Sequence, residues 1–183
     1  MDTILVNKLP TRTWNRLGVN ETVLLWDEAG TVDGGTELLS ADGRLELSAH
    51  APYTRKTVEI TAAPGQRVTV YETFRGGEHL HVRTVLRPAA GAVIRLVQVQ
   101  AMDAGAVLRS EVAARCPEGS SVELYRLLPG RGDTYADDRL TLAGGASLKA
   151  AMGYLGRDEQ VIDLNLAVDH VGQNTRSDID VSG

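Results

Sequence analysis

The chain has 183 residues, of which 43% are hydrophobic and only 4% aromatic, with a formal net charge of −5. This length is enough for one domain with a core of small aliphatic side chains, and the negative charge excludes a sequence-independent nucleic-acid binder, which needs a basic surface. The sequence shows no bilayer-length apolar stretch, no signal-peptide pattern and a single cysteine, so we expect a cytoplasmic protein without disulfides that binds no membrane.

The first part of the chain, residues 1–26, differs in pattern from the rest. Thr3–Val6 predicts a short strand, and the polar segment that follows contains Trp14, one of two tryptophans. We expect an irregular N-terminal arm that packs Trp14 against a core domain spanning residues 27–183. An exposed Trp14 that stacks on a ligand is a weaker interpretation, because a single aromatic ring without aromatic neighbours makes a poor binding platform.

From Thr22 onward, short segments that alternate apolar and polar residues are separated by turn residues. They predict thirteen strands, namely Thr22–Trp26, Glu37–Leu39, Arg44–Ser48, Thr57–Thr61, Arg67–Glu72, His79–Leu86, Ala92–Gln100, Ala106–Ala114, Ser121–Leu127, Arg139–Leu142, Ser147–Met152, Gln160–His170 and Arg176–Val181. Their connectors include Asp33-Gly34-Gly35, Pro64-Gly65, Pro117-Glu118-Gly119 and Gly144-Gly145. The acidic pairs Asp137-Asp138 and Asp158-Glu159 are also interpreted as solvated turns.

So many short strands without a convincing helix predict an all-β fold. Three architectures fit the spacing: a sandwich, a double-stranded barrel of the cupin type, and a parallel β-helix. Sandwiches usually pack bulky aromatic residues between their sheets, and this chain has few. Tiers of Val, Leu, Ile and Ala closed by glycine turns favour the stacked coils of a β-helix, although the sequence shows no tight repeat.

Four residues are candidate metal ligands. His79 and His81 form an HxH pair on one face of a strand, as in cupins, and a cupin-like metal-dependent enzyme is therefore the alternative function. Arg83 shares that face and opposes a cation, so an exposed polar strand face is the favoured interpretation of the pair. Cys116 is the only soft ligand, and an idle structural cysteine is favoured because no partner lies nearby in sequence. His170 is the fourth candidate.

The last twenty-odd residues form the most distinctive segment. Ile162 to Val168 alternate, and the phase places His170 on the apolar side of its strand. A turn follows, in which Asn174 suits a left-handed conformation, and Thr175 and Ser177 could supply hydrogen-bond partners for the imidazole. A polar ladder that closes a β corner is at least as good an interpretation as a metal-binding or catalytic site.

This segment resembles a motif of the SufB/SufD family, the scaffold proteins of iron–sulfur cluster assembly. The similarity extends to residues 8–20, which contain a Leu-Pro segment and a Trp, and to the glycine-rich strand and turn segment around residues 143–154. Within the motif itself, Gln173 occupies a position where the family often has lysine. The residues that match the motif are His170, Gly172, Asn174, Thr175, Ser177 and Gly183.

The resemblance implies a right-handed parallel β-helix and a non-catalytic scaffold role. It further implies a SufC-type ATPase and a SufB/SufD paralogue as partners, with a transient iron–sulfur cluster in the full complex. Family members usually continue beyond this motif into a helical segment that carries the ATPase docking surface and the cluster-handling residues. We therefore assign no catalytic or cluster-ligand residue to this chain, and we expect a homodimer or a stacked oligomer that covers the open end of the β-helix.

Overall fold

The computed structural model describes residues 2–8 and 21–183, which form strands and turns. None of the described residues belongs to a helix that could cross a bilayer. Every predicted strand overlaps an observed one. The strands are β1 (Asp2–Val6), β2 (Thr22–Trp26), β3 (Val32–Leu39), β4 (Gly43–Ser48), β5 (Tyr53–Ala62), β6 (Arg67–Gly76), β7 (His79–Pro88), β8 (Val93–Met102), β9 (Val107–Cys116), β10 (Ser121–Leu128), β11 (Asp133–Leu142), β12 (Ser147–Tyr154), β13 (Ile162–His170) and β14 (Arg176–Ser182).

Twelve of the strands form two six-stranded parallel sheets. The odd-numbered strands β3 to β13 make one sheet, called here the odd sheet, and the even-numbered strands β4 to β14 make the even sheet. Consecutive strands alternate between the sheets, so each pair completes one coil and the chain makes six coils. This topology confirms the predicted all-β parallel β-helix and excludes both the sandwich and the cupin barrel.

A regular spacing underlies the coils even though the sequence does not repeat. On the even sheet Arg67 pairs with Val93, Val93 with Ser121, and Ser121 with Ser147, so the central coils contain 26 or 28 residues. Stacking requires an inward aliphatic residue at the next position of each of these strands, but not the same residue in every coil. This is why the sequence shows regularly spaced strands without a tight repeat.

The core lies between the two sheets and consists of inward-facing aliphatic tiers. One tier on the even sheet runs through Val68, Ile94, Val122 and Leu148, which pair in register and are each at most 1% exposed. Burying a side chain of this kind contributes about 1.5–3 kcal/mol. Tiers of this size supply a continuous core without large rings, as the low aromatic content predicts.

Tight turns join the odd strands to the even strands along one edge. Gly65, Gly91, Gly119 and Gly145 occupy the same position in four successive turns, with φ between 64° and 71°. In each turn the residue after the glycine donates its backbone N–H to the carbonyl three residues earlier, at 2.9–3.1 Å. This geometry needs a residue that tolerates positive φ at the third position, which explains the glycines.

Two turn predictions were wrong. Asp33-Gly34-Gly35 lies inside β3, where the register shifts and Gly35 adopts a φ of 84°, so the glycines form a bulge rather than a connector. Asp137 and Asp138 lie inside β11, and Asp138 is fully buried in the core instead of solvated. The strand had been predicted to begin only at Arg139, because an inward-facing aspartate interrupts the apolar alternation.

Strands β1 and β2 pair antiparallel and form a hairpin that covers part of the odd sheet. Trp26 is fully buried in a small cluster with Val6, Leu24, Tyr53 and Tyr135. Part of the predicted irregular arm is therefore regular. The predicted packing of Trp14 lies outside the described residues, and nothing tests the predicted boundary at residue 27.

Candidate functional site

The motif segment joins β13 to β14 in the last described coil. His170 ends β13, and its side chain is exposed rather than on a buried apolar face, because no described coil lies beyond β13. Its Nδ1 lies 2.7 Å from the Thr175 hydroxyl and its Nε2 lies 3.1 Å from the Ser177 hydroxyl. The imidazole therefore bridges the turn and the following strand, and both of its nitrogens are engaged by hydroxyl groups.

The motif turn is one residue longer than the turn below it, with residues 171–175 in place of 143–146. Asn174 takes the left-handed conformation, with φ 57°, which glycines occupy in the other coils. The Gln173 carbonyl accepts the Gly145 N–H at 2.9 Å and continues the backbone ladder. The chain accommodates the extra residue at Gly172, which lies directly against the backbone of the preceding turn.

Gly172→Ala is expected to strain the motif turn. A Cβ there would lie 2.1 Å from the Gly144 nitrogen and 2.5 Å from the Ala143 carbonyl carbon, both backbone atoms that cannot rotate away. We expect a loss of about 1–3 kcal/mol of unfolding free energy in urea denaturation, with faster amide exchange at residues 170–177. Gly144→Ala is the matched control, because its nearest contact is 3.8 Å away. Equal effects of both changes would contradict this explanation.

The HxH pair lies on β7 beneath the N-terminal hairpin. His81 is only 6% exposed, so the predicted exposed polar strand face is wrong: Trp26 covers the pair, with ring centroids 6.2 Å from both imidazoles. His79 accepts the Val107 backbone N–H at 3.1 Å, and burial lowers the pKa of His79. The pair was predicted to be exposed because the sequence does not show which surface a distant hairpin covers.

Both nitrogens of His81 have partners that fix its tautomer. Arg55 donates its Nε–H to His81 Nδ1 at 3.2 Å, and an arginine can only donate, so Nδ1 carries no proton. The proton therefore lies on Nε2, which donates to Glu111 at 2.9 Å. This hydrogen bond is the main reason that the pKa of Glu111 is lowered. Both nitrogens of His81 thus have protein partners, and the parallel β-helix is not the barrel that the cupin-like alternative requires.

Cys116 ends β9 with its side chain in the core. It is 2% exposed, and burial raises the pKa of the Cys116 thiol to about 11. A thiol of this kind is protonated at neutral pH and is a poor nucleophile and metal ligand. Among the described residues, no group of three or more His, Cys, Asp or Glu side chains is arranged to hold a metal ion.

A polar network inside the aliphatic core was not predicted. Arg126, 2% exposed, donates to both carboxylate oxygens of Asp138 at 2.8 and 3.0 Å and to the Gln98 amide oxygen at 2.5 and 3.0 Å. Gln98 in turn donates to Glu72 at 2.8 Å, and Thr84 donates to Glu72 at 3.0 Å. The network crosses four coils and joins the two sheets through their inward faces.

The sequence did contain a signal for this network. Glu72, Gln98 and Arg126 are 26 and 28 residues apart, which is the coil spacing, and they pair in register on the even sheet. Each of these three residues interrupts the apolar inward face of its strand, as Asp138 does on the odd sheet. Polar residues that recur at the coil spacing, at positions where the alternation expects an apolar side chain, indicate a row of hydrogen-bonded residues inside the core.

Glu72→Gln is expected to stabilise the protein increasingly as the pH rises. Burial raises the pKa of Glu72 above its ordinary value of 4.5, so the folded state keeps a proton that the unfolded state releases. Stability therefore falls as the pH rises from 4.5 to the folded-state pKa, by at most about 1.4 kcal/mol per pH unit. Glutamine keeps partners for Gln98 and Thr84 without titrating, so urea denaturation at several pH values should show a flatter profile.

The exposed Glu46→Gln change is the control for the pH profile, because Glu46 lies outside the core with its side chain 76% exposed. It should leave the pH dependence of the wild-type protein unchanged. A Glu72→Gln profile with the wild-type slope would show that Glu72 is ionised in the folded protein.

Comparison with known proteins identifies the family. A family model described as SUF system FeS cluster assembly, SufBD core domain, matches residues 46–183. The match covers five complete coils and includes the motif turn from His170 to Ser177. Comparisons with curated proteins and with solved structures found no match. The chain therefore belongs to the SUF system FeS cluster assembly family that shares the SufBD core domain.

Proposed function

We propose that this chain is a scaffold subunit of a SUF-type iron–sulfur cluster assembly complex and is not an enzyme on its own. The SufBD core domain across most of the chain carries this proposal. The iron–sulfur cluster is then the cargo of the complex rather than a resident group of this chain. A SufC-type ATPase and a SufB/SufD paralogue are the proposed partners, and the motif residues from His170 to Ser177 are proposed to shape the last coil near them.

The last described coil supports an association role. Ile179 pairs with Ala150, and Val181 pairs with Met152, so both side chains continue inward-facing tiers of the even sheet. Ala150 is 2% exposed, whereas Ile179 and Val181 are 45% and 52% exposed, because no described residue covers them. Exposed apolar side chains such as Ile179 and Val181 favour packing against another protein surface.

The proposed surface is the end of the β-helix formed by β13 and β14. A paralogue that packs here would bury the exposed tier and would pair with the free strand edges, which would lengthen the β-helix across the interface. A second copy of this chain would achieve the same in a homodimer. The complex with a paralogue and the homodimer both predict an interface at the β13 and β14 end of the β-helix and none at the N-terminal hairpin.

Co-expression with a SufC-type ATPase and a SufB/SufD paralogue, followed by affinity capture and size-exclusion chromatography with light scattering, tests the proposal. We expect a stable complex that contains this chain. Changing both Ile179 and Val181 to Asp should abolish the association by placing two charges in the interface. Changing Leu38, which is 75% exposed on β3 at the opposite end, to Asp is the control and should preserve it.

A complex that survives the Ile179 and Val181 changes would place the interface elsewhere. Failure of the wild-type chain to associate with any of these partners or with itself would contradict the scaffold function. Circular dichroism of each variant would show that the β-helix is intact.

A further inference from the structure

A broad groove crosses the outward face of the odd sheet beside the area that the hairpin covers. It has a volume of about 920 Å³, and its lining comes from β5, β7, β9 and β11 and from the turns that follow β9, β11 and β13. The floor includes Val85 and Ala113, which pair across β7 and β9 and are half-buried. These small side chains leave a shallow apolar depression in a sheet face that is otherwise covered by long polar residues.

Four arginines surround this depression. Arg83 and Arg87 flank Val85 along β7, Arg115 lies on β9 two residues beyond Ala113, and Arg139 pairs with Ala113 from β11. All four are exposed. Four cations in one groove are unusual for a chain with a formal net charge of −5, and they give the groove a charge opposite to that of the whole molecule.

The four arginines differ in whether their charge is already compensated. Arg87 lies 3.3 Å from Glu59, and Arg139 lies 2.9 Å from Asp137. Among residues 2–8 and 21–183, no carboxylate forms an ion pair with Arg83 or Arg115. Two guanidinium groups on opposite sides of the floor are thus available to an external anion.

The carboxylates nearest to these two groups are committed elsewhere. Glu111 pairs with Arg83 in the sheet register, but its carboxylate binds His81 at 2.9 Å and lies 3.5 Å from Arg109. Asp169 lies in register with Arg115 two strands away, beyond Thr141, and its charge acts on Arg139. Arg83 also interacts with the charge of Glu111, but neither Arg83 nor Arg115 forms an ion pair with a carboxylate of the described residues, so both guanidinium groups can donate to a ligand.

We propose that this groove binds a small molecule with an apolar body and a phosphate group at each end. The apolar body lies on Val85 and Ala113, and the phosphates accept from Arg83 at one end and Arg115 at the other. Planar guanidinium groups donate paired hydrogen bonds that match phosphate oxygens. Arg83 and Arg115 are four residues apart along neighbouring strands, so their Cα atoms are separated by about 14 Å. Two anionic groups on one ligand match this separation better than a single phosphate does.

The test uses hexanediol bisphosphate, which carries a phosphate at each end of a six-carbon chain, and hexyl monophosphate as the one-ended probe. Binding to the whole chain is followed by isothermal titration calorimetry and by amide chemical shifts. We expect the bisphosphate to bind about tenfold more tightly than the monophosphate, because a second charge-assisted contact forms. Arg83→Gln with Arg115→Gln should weaken bisphosphate binding by at least about tenfold and remove the difference between the probes.

The matched control changes Arg44 and Arg75 to Gln on the even sheet. Arg44 lies over the Tyr71 ring at 5.0 Å, and Arg75 lies 3.6 Å from Glu46, so both are remote from the groove. This double variant has the same net charge as the groove variant and should bind both probes like the wild type. Ala113→Glu keeps all four arginines but places a carboxylate on the floor, and it should abolish binding of the bisphosphate.

Three outcomes would overturn the proposal. These are no binding of the bisphosphate by the wild-type chain, equal weakening by the groove and control variants, and equal affinity for the two probes. Ile179 and Val181 lie on the even sheet and the groove lies on the odd sheet, so the Ile179 and Val181 variant should bind the bisphosphate normally whatever its oligomeric state.

Discussion

Arg126→Met is expected to destabilise the protein by about 3–5 kcal/mol in urea denaturation at neutral pH. Arg126 and Asp138 are 2% and 0% exposed, and two hydrogen bonds join them. Removing the guanidinium leaves a carboxylate without a compensating charge in an aliphatic core and leaves Gln98 without a donor. The loss should shrink on acidification, because protonation removes the charge of Asp138.

Two further variants separate the buried pair from ordinary ion pairs. Arg95→Met removes a half-exposed arginine that binds Glu123 on the same sheet, and a surface pair of this kind contributes only about 0–1 kcal/mol. Changing Arg126 to Met together with Asp138 to Leu should recover most of the loss, since no unpaired charge remains. The explanation would fail if the double variant were no more stable than Arg126→Met alone.

Trp26→Ala is expected to release the N-terminal hairpin from the odd sheet. Its ring is fully buried, packs edge-on against Tyr53 at 5.2 Å and lies beneath Arg109 at 5.4 Å. Truncating a buried tryptophan costs about 3–5 kcal/mol, which exceeds the contribution of hydrogen bonds such as those from Asn7 to Asp163 at 2.8 and 3.2 Å. Hydrogen exchange should therefore become much faster at residues 2–6 and 22–26 while the coils remain protected.

Leu25→Ala is the matched control for the hairpin, because Leu25 is next in sequence but 61% exposed. It should leave hairpin exchange close to that of the wild type. Detachment should also expose His79, whose pKa is lowered by burial, so this imidazole should titrate nearer to the ordinary histidine value in the Trp26→Ala variant. Unchanged exchange in that variant would show that other contacts hold the hairpin.

The strands and turns could be predicted because their signals are local. Alternation in a segment such as Ser121–Leu128 reflects one inward and one outward face, and glycines such as Gly119 mark a backbone that needs positive φ. The failures have an equally physical cause. Asp138 was assigned to a turn because its partner Arg126 lies on the other sheet, and no local pattern shows that a distant cation will compensate a buried charge.

The candidate site also has features that the sequence predicted and features that only the structure revealed. The motif from His170 to Ser177 was identified from its residues, and the structure adds that His170 is exposed and bridges Thr175 and Ser177. The environment of His79 and His81 was predicted wrongly, since the Trp26 that covers them is more than fifty residues away in sequence. The arginine groove was not predicted at all, because its members come from three separate strands.

The sequence by itself determined the strand periodicity, the turn positions and the family motif, because each depends on neighbouring residues or on side chains within one short segment. Only the tertiary structure decided which polar side chains are buried together, which histidines the hairpin covers and which arginines surround Val85 and Ala113. These features depend on stacking residues 26 or 28 positions apart in the coils and on folding β1 and β2 back over the odd sheet. Burial and charge compensation are therefore properties of the assembled coils rather than of any single segment.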